Sequence, residues 1–368
     1  MHKVKVVTQP GQYFVSIGNG LLHALSRHLR PFLRGKRQGV YVLTTPEIWA
    51  LWGQRFLAAL PGPPPTALFL PSGERHKRLA SVEELASRMA QSGADRSALL
   101  IAFGGGVVGD VGGFLAAIYM RGIDFIQIPT TLLAQVDSSV GGKTGVNLIS
   151  GKNLLGAFYN PRAVIADIGL LATLPRRELH AGLYESIKAG LIRDASLFRF
   201  LESGRGLIDR GDARTLERIV SASVRVKADV VAQDEKEAGL RMILNFGHTI
   251  GHAIEAVGGY GAMLHGEAVA LGMLVALEIS RSRHLLRSVQ ANRAAALIRS
   301  FAPPPFPGIS NARLLEAAGK DKKNRAGIRR FILLDGIGKA MVAEDVSDAE
   351  LLRALDQVRA GESAGGGR

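Results

Sequence analysis

Residues 244–255 read LNFGHTIGHAIE, placing His248 and His252 four apart and Glu255 three further on. On a helix all three side chains share one face. Two imidazoles at that spacing often hold a metal such as zinc. The same pattern also fits a buried amphipathic helix whose histidines bond polar neighbours, and spacing alone does not choose between them. The chain contains no cysteine. That excludes disulfides, thiolate zinc sites and a cysteine nucleophile, so any metal must be held by His, Asp or Glu.

A second constellation is rich in glycine. FGGGVVGDVGGFLAAIY (103–119) follows a strand-like run and opens a helix-like one. Small residues there let backbone N–H groups approach a pyrophosphate, and a helix N-terminus favours its charge. Gly104, Gly105 and Gly106 would supply the turn and Gly109 the close approach, with Val107, Val108 and Asp110 beside them. The alternative is a tight strand-to-helix turn that binds nothing. SGERHK (Ser72, Gly73, Glu74, Arg75, His76, Lys77) also follows a strand-like run, offering Glu74 for a hydroxyl and Lys77 for a phosphate. Thr130 and Thr131 stand at a third such end. All three stretches sit where open α/β sheets bind ligands. QVDSSVGGKTGVNLISGKNLLGAF (135–158) sets Asp137, Lys143, Lys152 and Asn153 among glycines, a composition suited to anions and otherwise to a solvated loop.

These residues need elements to hold them. VYVLTT (40–45), TALFLP (66–71), ALLIAFGGG (98–106), IDFIQIPT (123–130) and AVIADIG (163–169) are short apolar runs ending in Gly, Pro or Thr. Helical patterns such as SVEELASRMAQSG (81–93) lie between several of them, with Ser81 and Glu84 spaced as a capping box. Such alternation predicts a mostly parallel sheet covered by helices. From about residue 176 long amphipathic segments take over, broken by APPPFPG (302–308), with RRFILLDGIG (329–338) as a short hairpin. The pattern predicts an α/β Rossmann-like nucleotide-binding domain over 1–176, a mostly α-helical metal-binding domain over 177–360 and a frayed tail over 361–368.

At 368 residues and 47% hydrophobic, the chain is long enough for a sizeable core. Its net charge of +14, from 46 Lys+Arg against 32 Asp+Glu, would permit nucleic-acid binding. The basic residues are spread along the chain without aromatic interleaving, and the aromatic share is only 6%. Both features argue for a solvated surface serving an anionic substrate, and against nucleic acid. No apolar run is long and uncharged enough for a membrane span, and the N-terminus lacks a signal-peptide core. A cytoplasmic protein is the expectation.

The order and spacing of GGGVVGDVGGFLAAIYMRGI, IPTTLLAQVDSSVGGKTGVN, GKNLLGAF, AGLYESIKAGLI, LNFGHTIGHAIE, LHGEAVALGM and DKKN resemble the 3-dehydroquinate synthase family, roughly from Lys3 to Asp345. The resemblance implies NAD and a zinc ion, with cobalt as an alternative. The zinc would be held by Glu185, His248 and His265, with His252 facing the substrate and not the metal. The NAD contacts implied are Ser72–Lys77, Gly105–Asp110, Thr130, Thr131, Lys143, Lys152 near the nicotinamide, and Thr173. Lys143, Asn153, Arg241 and His252 resemble phosphate and ring contacts. Lys227, Asn245 and Asp137 resemble contacts to the carboxylate side, hydroxyls or metal-bound oxygens. Arg121 resembles a residue reaching the substrate's phosphate from a partner subunit, which implies a homodimer. One of Lys320, Lys322 and Lys323 would face the substrate.

The implied substrate is 3-deoxy-D-arabino-heptulosonate 7-phosphate, converted to 3-dehydroquinate and phosphate in the shikimate pathway by a lyase with transient oxidation. Two departures stand out. LTTPEIW (43–49) puts Thr44 and Thr45 where many relatives hold the adenosine ribose with an acid or amide, and YESIK replaces a more usual AEVIK. The rival readings are another sugar phosphate cyclase and a metal-dependent alcohol or glycerol dehydrogenase. The lysines of GGKTGVN and GKN and the Glu185 of ESIK argue against the dehydrogenase.

Overall fold

Alternating apolar and polar residues at the N-terminus form an antiparallel pair, β1 (His2–Thr8) and β2 (Gly11–Gly18), which buries Val4, Val6, Val15 and Ile17. The computed structural model describes residues 1–9, 11–33, 39–60, 62–259, 262–319 and 330–365. After the hairpin come α1 (Leu25–Leu33), β3 (Val40–Thr44), α2 (Pro46–Ala59), β4 (Thr66–Phe69), α3 (Leu79–Gln91), β5 (Leu99–Gly104) and α4 (Gly106–Ile118). Next are β6 (Asp124–Pro129), β7 (Lys143–Leu148), β8 (Gly151–Phe158) and β9 (Ala163–Asp167). Seven of these strands form one sheet in the order β1-β2-β9-β6-β5-β3-β4, parallel except at β1. Every residue of β5 is buried, as a strand covered by helices on both faces requires.

β4 lies on one side of β3 and β5 on the other, so the winding direction reverses between β3 and β5. In open α/β sheets ligands bind beyond the strand ends at such a reversal. The glycine-rich segment lies there, as the turn from β5 into α4. None of Gly104, Gly105 and Gly106 has the left-handed φ expected of a glycine turn. Side-chain absence is what matters instead: a Cβ on Gly104 would stand 2.6 Å from Val108, and one on Gly105 3.2 Å from Thr131. The close approach expected of Gly109 is to Gln127 on β6, where a Cβ would meet Oε1 at 2.6 Å, so this glycine seats the helix on the sheet.

The remaining elements are α5 (Arg176–Ile192), α6 (Ala195–Asp209), α7 (Ala213–Gln233), α8 (His248–Gly258), α9 (His265–Ser282), α10 (Ser288–Ser300), α11 (Asn311–Gly319), a hairpin β10 (Phe331–Leu334) and β11 (Ala340–Ala343), and α12 (Asp348–Gly365). The chain divides into two compact units, Met1–Leu179 with Ile208–Glu235, and His180–Leu207 with Lys236–Arg368. The expected division at 176/177 places α7 in the helical part. Its contacts place it against β1 and β2, because its buried stripe of Ile219, Val220, Val226 and Val230 covers the sheet.

Three local expectations also change. Ser81 lies inside α3 and its hydroxyl donates to the His76 carbonyl, while Glu84 pairs with Arg88, so no capping box forms. The polar stretch 135–158 is a two-stranded ladder over most of its length, because Gly145 and Gly156 let the strands pair too closely for a Cβ. The tail is not wholly frayed, since α12 runs to Gly365.

Candidate active site

In the first unit the loop after β4, the start of α4 and the β7–β8 ladder converge on Lys77. This lysine is 4% exposed, and its Nζ donates to Asp110 Oδ2 and Asn153 Oδ1, each at 2.5 Å. Burial pushes the Asp110 carboxyl up, and the Lys77 ammonium opposes that rise. Asn153 holds a left-handed φ of 52°, which an asparagine tolerates better than most side chains. Its N–H donates to Asn147 Oδ1 at 2.8 Å, and Asn147 Nδ2 donates to Glu74 Oε1 at 2.8 Å. Ser72, Gly73, Arg75 and His76 border this network on the same loop, Lys143 opens β7, and Lys152 is the second residue of β8.

The turn into α4 has an open face. Gly105 caps the helix without a side-chain bond, leaving the first-turn N–H groups to a ligand. Thr131 Oγ1 caps the next turn at the Ala134 N–H, and the buried Thr130 Oγ1 has no hydrogen-bond partner among the described residues. Nearby, Lys227 of α7 donates to Asp137 Oδ1 at 2.6 Å and to its carbonyl at 2.7 Å. The Thr173 hydroxyl accepts from the Trp52 indole at 3.1 Å. Arg121 is exposed on a turn where Met120 and Arg121 both have positive φ, at 49° and 66°.

The departure at LTTPEIW has a structural counterpart. Thr44 is fully buried, and Thr45 spends its hydroxyl capping α2 at the Ile48 N–H, 3.3 Å away. The Thr44 hydroxyl has no hydrogen-bond partner among the described residues. Glu47, in the first turn of α2, accepts from the Ser72 hydroxyl at 2.5 Å. That bond holds its carboxyl below the usual carboxylate range.

In the second unit Glu185, His248 and His265 present ligand atoms that all lie within 4.8 Å of one another. Glu185 Oε1 is 3.7 Å from His248 Nε2 and 3.8 Å from His265 Nε2, while Oε2 pairs with Lys188. Packing explains the convergence. Gly266, one residue past His265, lies so close to α5 that a Cβ would stand 2.0 Å from the Ala181 carbonyl oxygen. Gly272 similarly meets the Gly247 carbonyl, at 1.9 Å, drawing α9 onto the start of α8.

The chemistry of the donor set suits a metal ion. Glu185 is 3% exposed, and its Oε1 accepts no hydrogen bond among the described residues, which is costly for a buried carboxylate. His248 Nδ1 faces the Phe246 carbonyl at 3.2 Å and His265 Nδ1 faces Glu255 Oε2 at 3.2 Å, so both rings turn Nε2 toward Glu185. One oxygen and two imidazole nitrogens suit zinc or cobalt, and three protein ligands leave room for substrate oxygens.

His252, the i+4 partner of His248, belongs to a different group with Glu255 and His265. No group of three among the described residues contains both His248 and His252. Arg241 is 1% exposed, and Asn245 Nδ2 donates to Glu237 Oε1 at 2.6 Å. Lys320, Lys322 and Lys323 lie outside the described residues. The sequence reading passed over Lys188, Glu237 and the role of Glu255. Lys188 had a usable signal in LYESIK, three residues past Glu185 on one helix face. Glu237 had none.

Comparison with known proteins agrees with this architecture. The family model described as 3-dehydroquinate synthase N-terminal matches residues 67–181, and that described as 3-dehydroquinate synthase C-terminal matches 182–324. The chain belongs to the 3-dehydroquinate synthase family and is an enzyme of the cyclase kind. It is 46% identical over 361 residues to a 3-dehydroquinate synthase of Koribacter versatilis, covering 98% of both chains. Among solved structures it is similar to a 2-epi-5-epi-valiolone synthase of Streptomyces hygroscopicus with NAD+ and Zn2+ bound, at TM-score 0.86 and 28% identity over 98% of this chain and 99% of that one. It is also similar to a 2-deoxy-scyllo-inosose synthase complexed with carbaglucose-6-phosphate, NAD+ and Co2+, at TM-score 0.82 and 27% identity over 98% and 99%.

Proposed function

We propose that this chain converts 3-deoxy-D-arabino-heptulosonate 7-phosphate to 3-dehydroquinate and phosphate, as an NAD- and metal-dependent lyase of the shikimate pathway. The observation that carries the reading is the convergence of Glu185, His248 and His265 on one point in a chain of this family. When bound, NAD supplies reversible hydride acceptance and the divalent cation supplies Lewis acidity at a substrate hydroxyl. The C5 hydroxyl is oxidised, the ketone acidifies the adjacent C–H, and phosphate leaves by β-elimination. The ketone is then reduced, the ring opens, and an intramolecular aldol closes the carbocycle without net oxidation.

The chain's own residues bind and orient. Lys77, Asp110, the α4 N-terminus, Thr130 and Thr131 hold the dinucleotide, with Lys152 near the nicotinamide and Thr173 at the margin of that set. Glu47, which already accepts from the Ser72 hydroxyl, takes the ribose hydroxyls, and its charge would disfavour a 2′-phosphate. Lys143, Asn153 and Arg241 bind the substrate's phosphate and ring oxygens. Lys227, oriented by Asp137, serves the carboxylate side together with Asn245. His252 relays a proton at a ring nitrogen near neutral pH. The substrate's own phosphate acts as base in the elimination.

We also infer a homodimer, in which Arg121 reaches the phosphate of the neighbouring subunit's substrate, and a cytoplasmic location. No helix among the described residues is long and apolar enough to cross a membrane. The test is release of inorganic phosphate from the heptulosonate phosphate with catalytic NAD. A stoichiometric rise in NADH absorbance would point to a dehydrogenase. Turnover of a different sugar phosphate instead would point to a sister cyclase, the alternative raised by the similarity to valiolone and inosose synthases.

A further inference from the structure

We propose that Glu255 is a positioning residue of the metal centre, holding His265 in the tautomer that turns Nε2 toward Glu185. The inference rests on the metal reading above. A neutral imidazole carries one proton, and an ionised carboxylate only accepts. With Glu255 Oε2 3.2 Å from His265 Nδ1, the proton sits on Nδ1 and the lone pair on Nε2, which faces Glu185 Oε1 at 3.8 Å.

The two histidines differ in how much help they need. His248 has a side chain 10% exposed and turns Nδ1 to the Phe246 carbonyl two residues away. Its own segment fixes it. His265 is the first residue of α9, with a side chain 30% exposed. Glu255 comes from another helix, α8, and its own side chain is 5% exposed. A buried carboxylate bonded to a ligating histidine orients the ring and strengthens it as a donor.

Glu255 also decides between two overlapping metal sets. His252, Glu255 and His265 offer ligand atoms within 4.8 Å of one another, as do Glu185, His248 and His265. Both sets need His265, whose Nε2 has one lone pair and can serve only one of them. The Nδ1 bond removes Glu255 from the ligands and gives His265 to the Glu185 set.

The test compares wild type, Glu255→Ala, Glu255→Gln and Glu185→Ala by zinc competition against a chromophoric chelator and by the visible spectrum of Co2+-loaded protein. Glu255→Ala should weaken zinc binding by about 10–100-fold. Glu255→Gln, whose amide oxygen accepts the same bond, should stay within about fivefold of wild type and keep its Co2+ band positions and intensities. Wild-type zinc affinity in Glu255→Ala would overturn the proposal. So would an altered Co2+ spectrum or a loss beyond about 100-fold in Glu255→Gln, because Glu255 would then be a ligand. Should Glu255→Ala fail to fold, the two Glu255→Gln readouts decide. Undiminished zinc binding by Glu185→Ala would instead sink the metal reading itself, which keeps the two failures apart.

Discussion

In the first unit two lysines of the candidate site each hold an opposite charge, with Lys77 on Asp110 at 2.5 Å and Lys227 on Asp137 at 2.6 Å. In the second unit Glu185 meets Lys188 with one oxygen and offers the other to two imidazole edges. The first arrangement is electrically closed before any ligand arrives, and the second is completed only by a cation. Closed pairs keep loops in shape for an anionic cofactor. An open carboxylate in a dry, helical setting keeps affinity in reserve for a metal.

The sharpest way to break this contrast is Glu185→Ala. It should empty the metal centre and cut phosphate release by at least about 1000-fold, about 4 kcal/mol of transition-state stabilisation. Metal analysis and the phosphate assay would check it, and NAD binding should survive. Lys77→Ala is the counterpart in the closed region. It strands the Asp110 carboxylate and should cost about 3 kcal/mol in chemical denaturation, with weaker NAD binding and unchanged metal content.

Gly266→Ala probes the packing that brings His265 to Glu185. Its new Cβ would strike the Ala181 carbonyl, so about 1–3 kcal/mol of stability and some zinc affinity should be lost together. Glu47→Ala should raise the NAD requirement by about tenfold and narrow the preference for NAD over NADP in initial-rate assays.

The smallest effect lies away from both clusters. The Arg283 guanidinium and the Ser347 cap hold Glu350 down to about 2 from 4.5. A depressed carboxylate contributes stability above its unfolded pKa and loses it as pH falls. Glu350→Gln should therefore cost roughly 0.5–1 kcal/mol at neutral pH. The difference from wild type should fade as pH drops from about 4.5 toward about 2 in urea melts.

The contrast also explains what was legible. Five of the seven sheet strands could be read because each is a short apolar run closed by Gly, Pro or Thr, and β5 is buried along its whole length. The strand pairing within the polar stretch 135–158 was not legible because it runs through glycines, whose contribution is the absence of a side chain. Within one helix, spacing suggested His248 with His252, and the folded chain groups His248 with Glu185 and His265 instead. The i+4 rule reports which residues share a face, not what that face meets.

The sequence by itself determined the local grammar: glycines at a strand-to-helix turn, lysines among glycines, histidines on helical faces and a cysteine-free ligand repertoire. Only the tertiary structure decided the partners. Glu185, His248 and His265 come from three helices, and their meeting depends on backbone approaches at Gly266 and Gly272 that no local pattern encodes. Periodicity is a property of neighbours along the chain, whereas coordination is a property of neighbours in space.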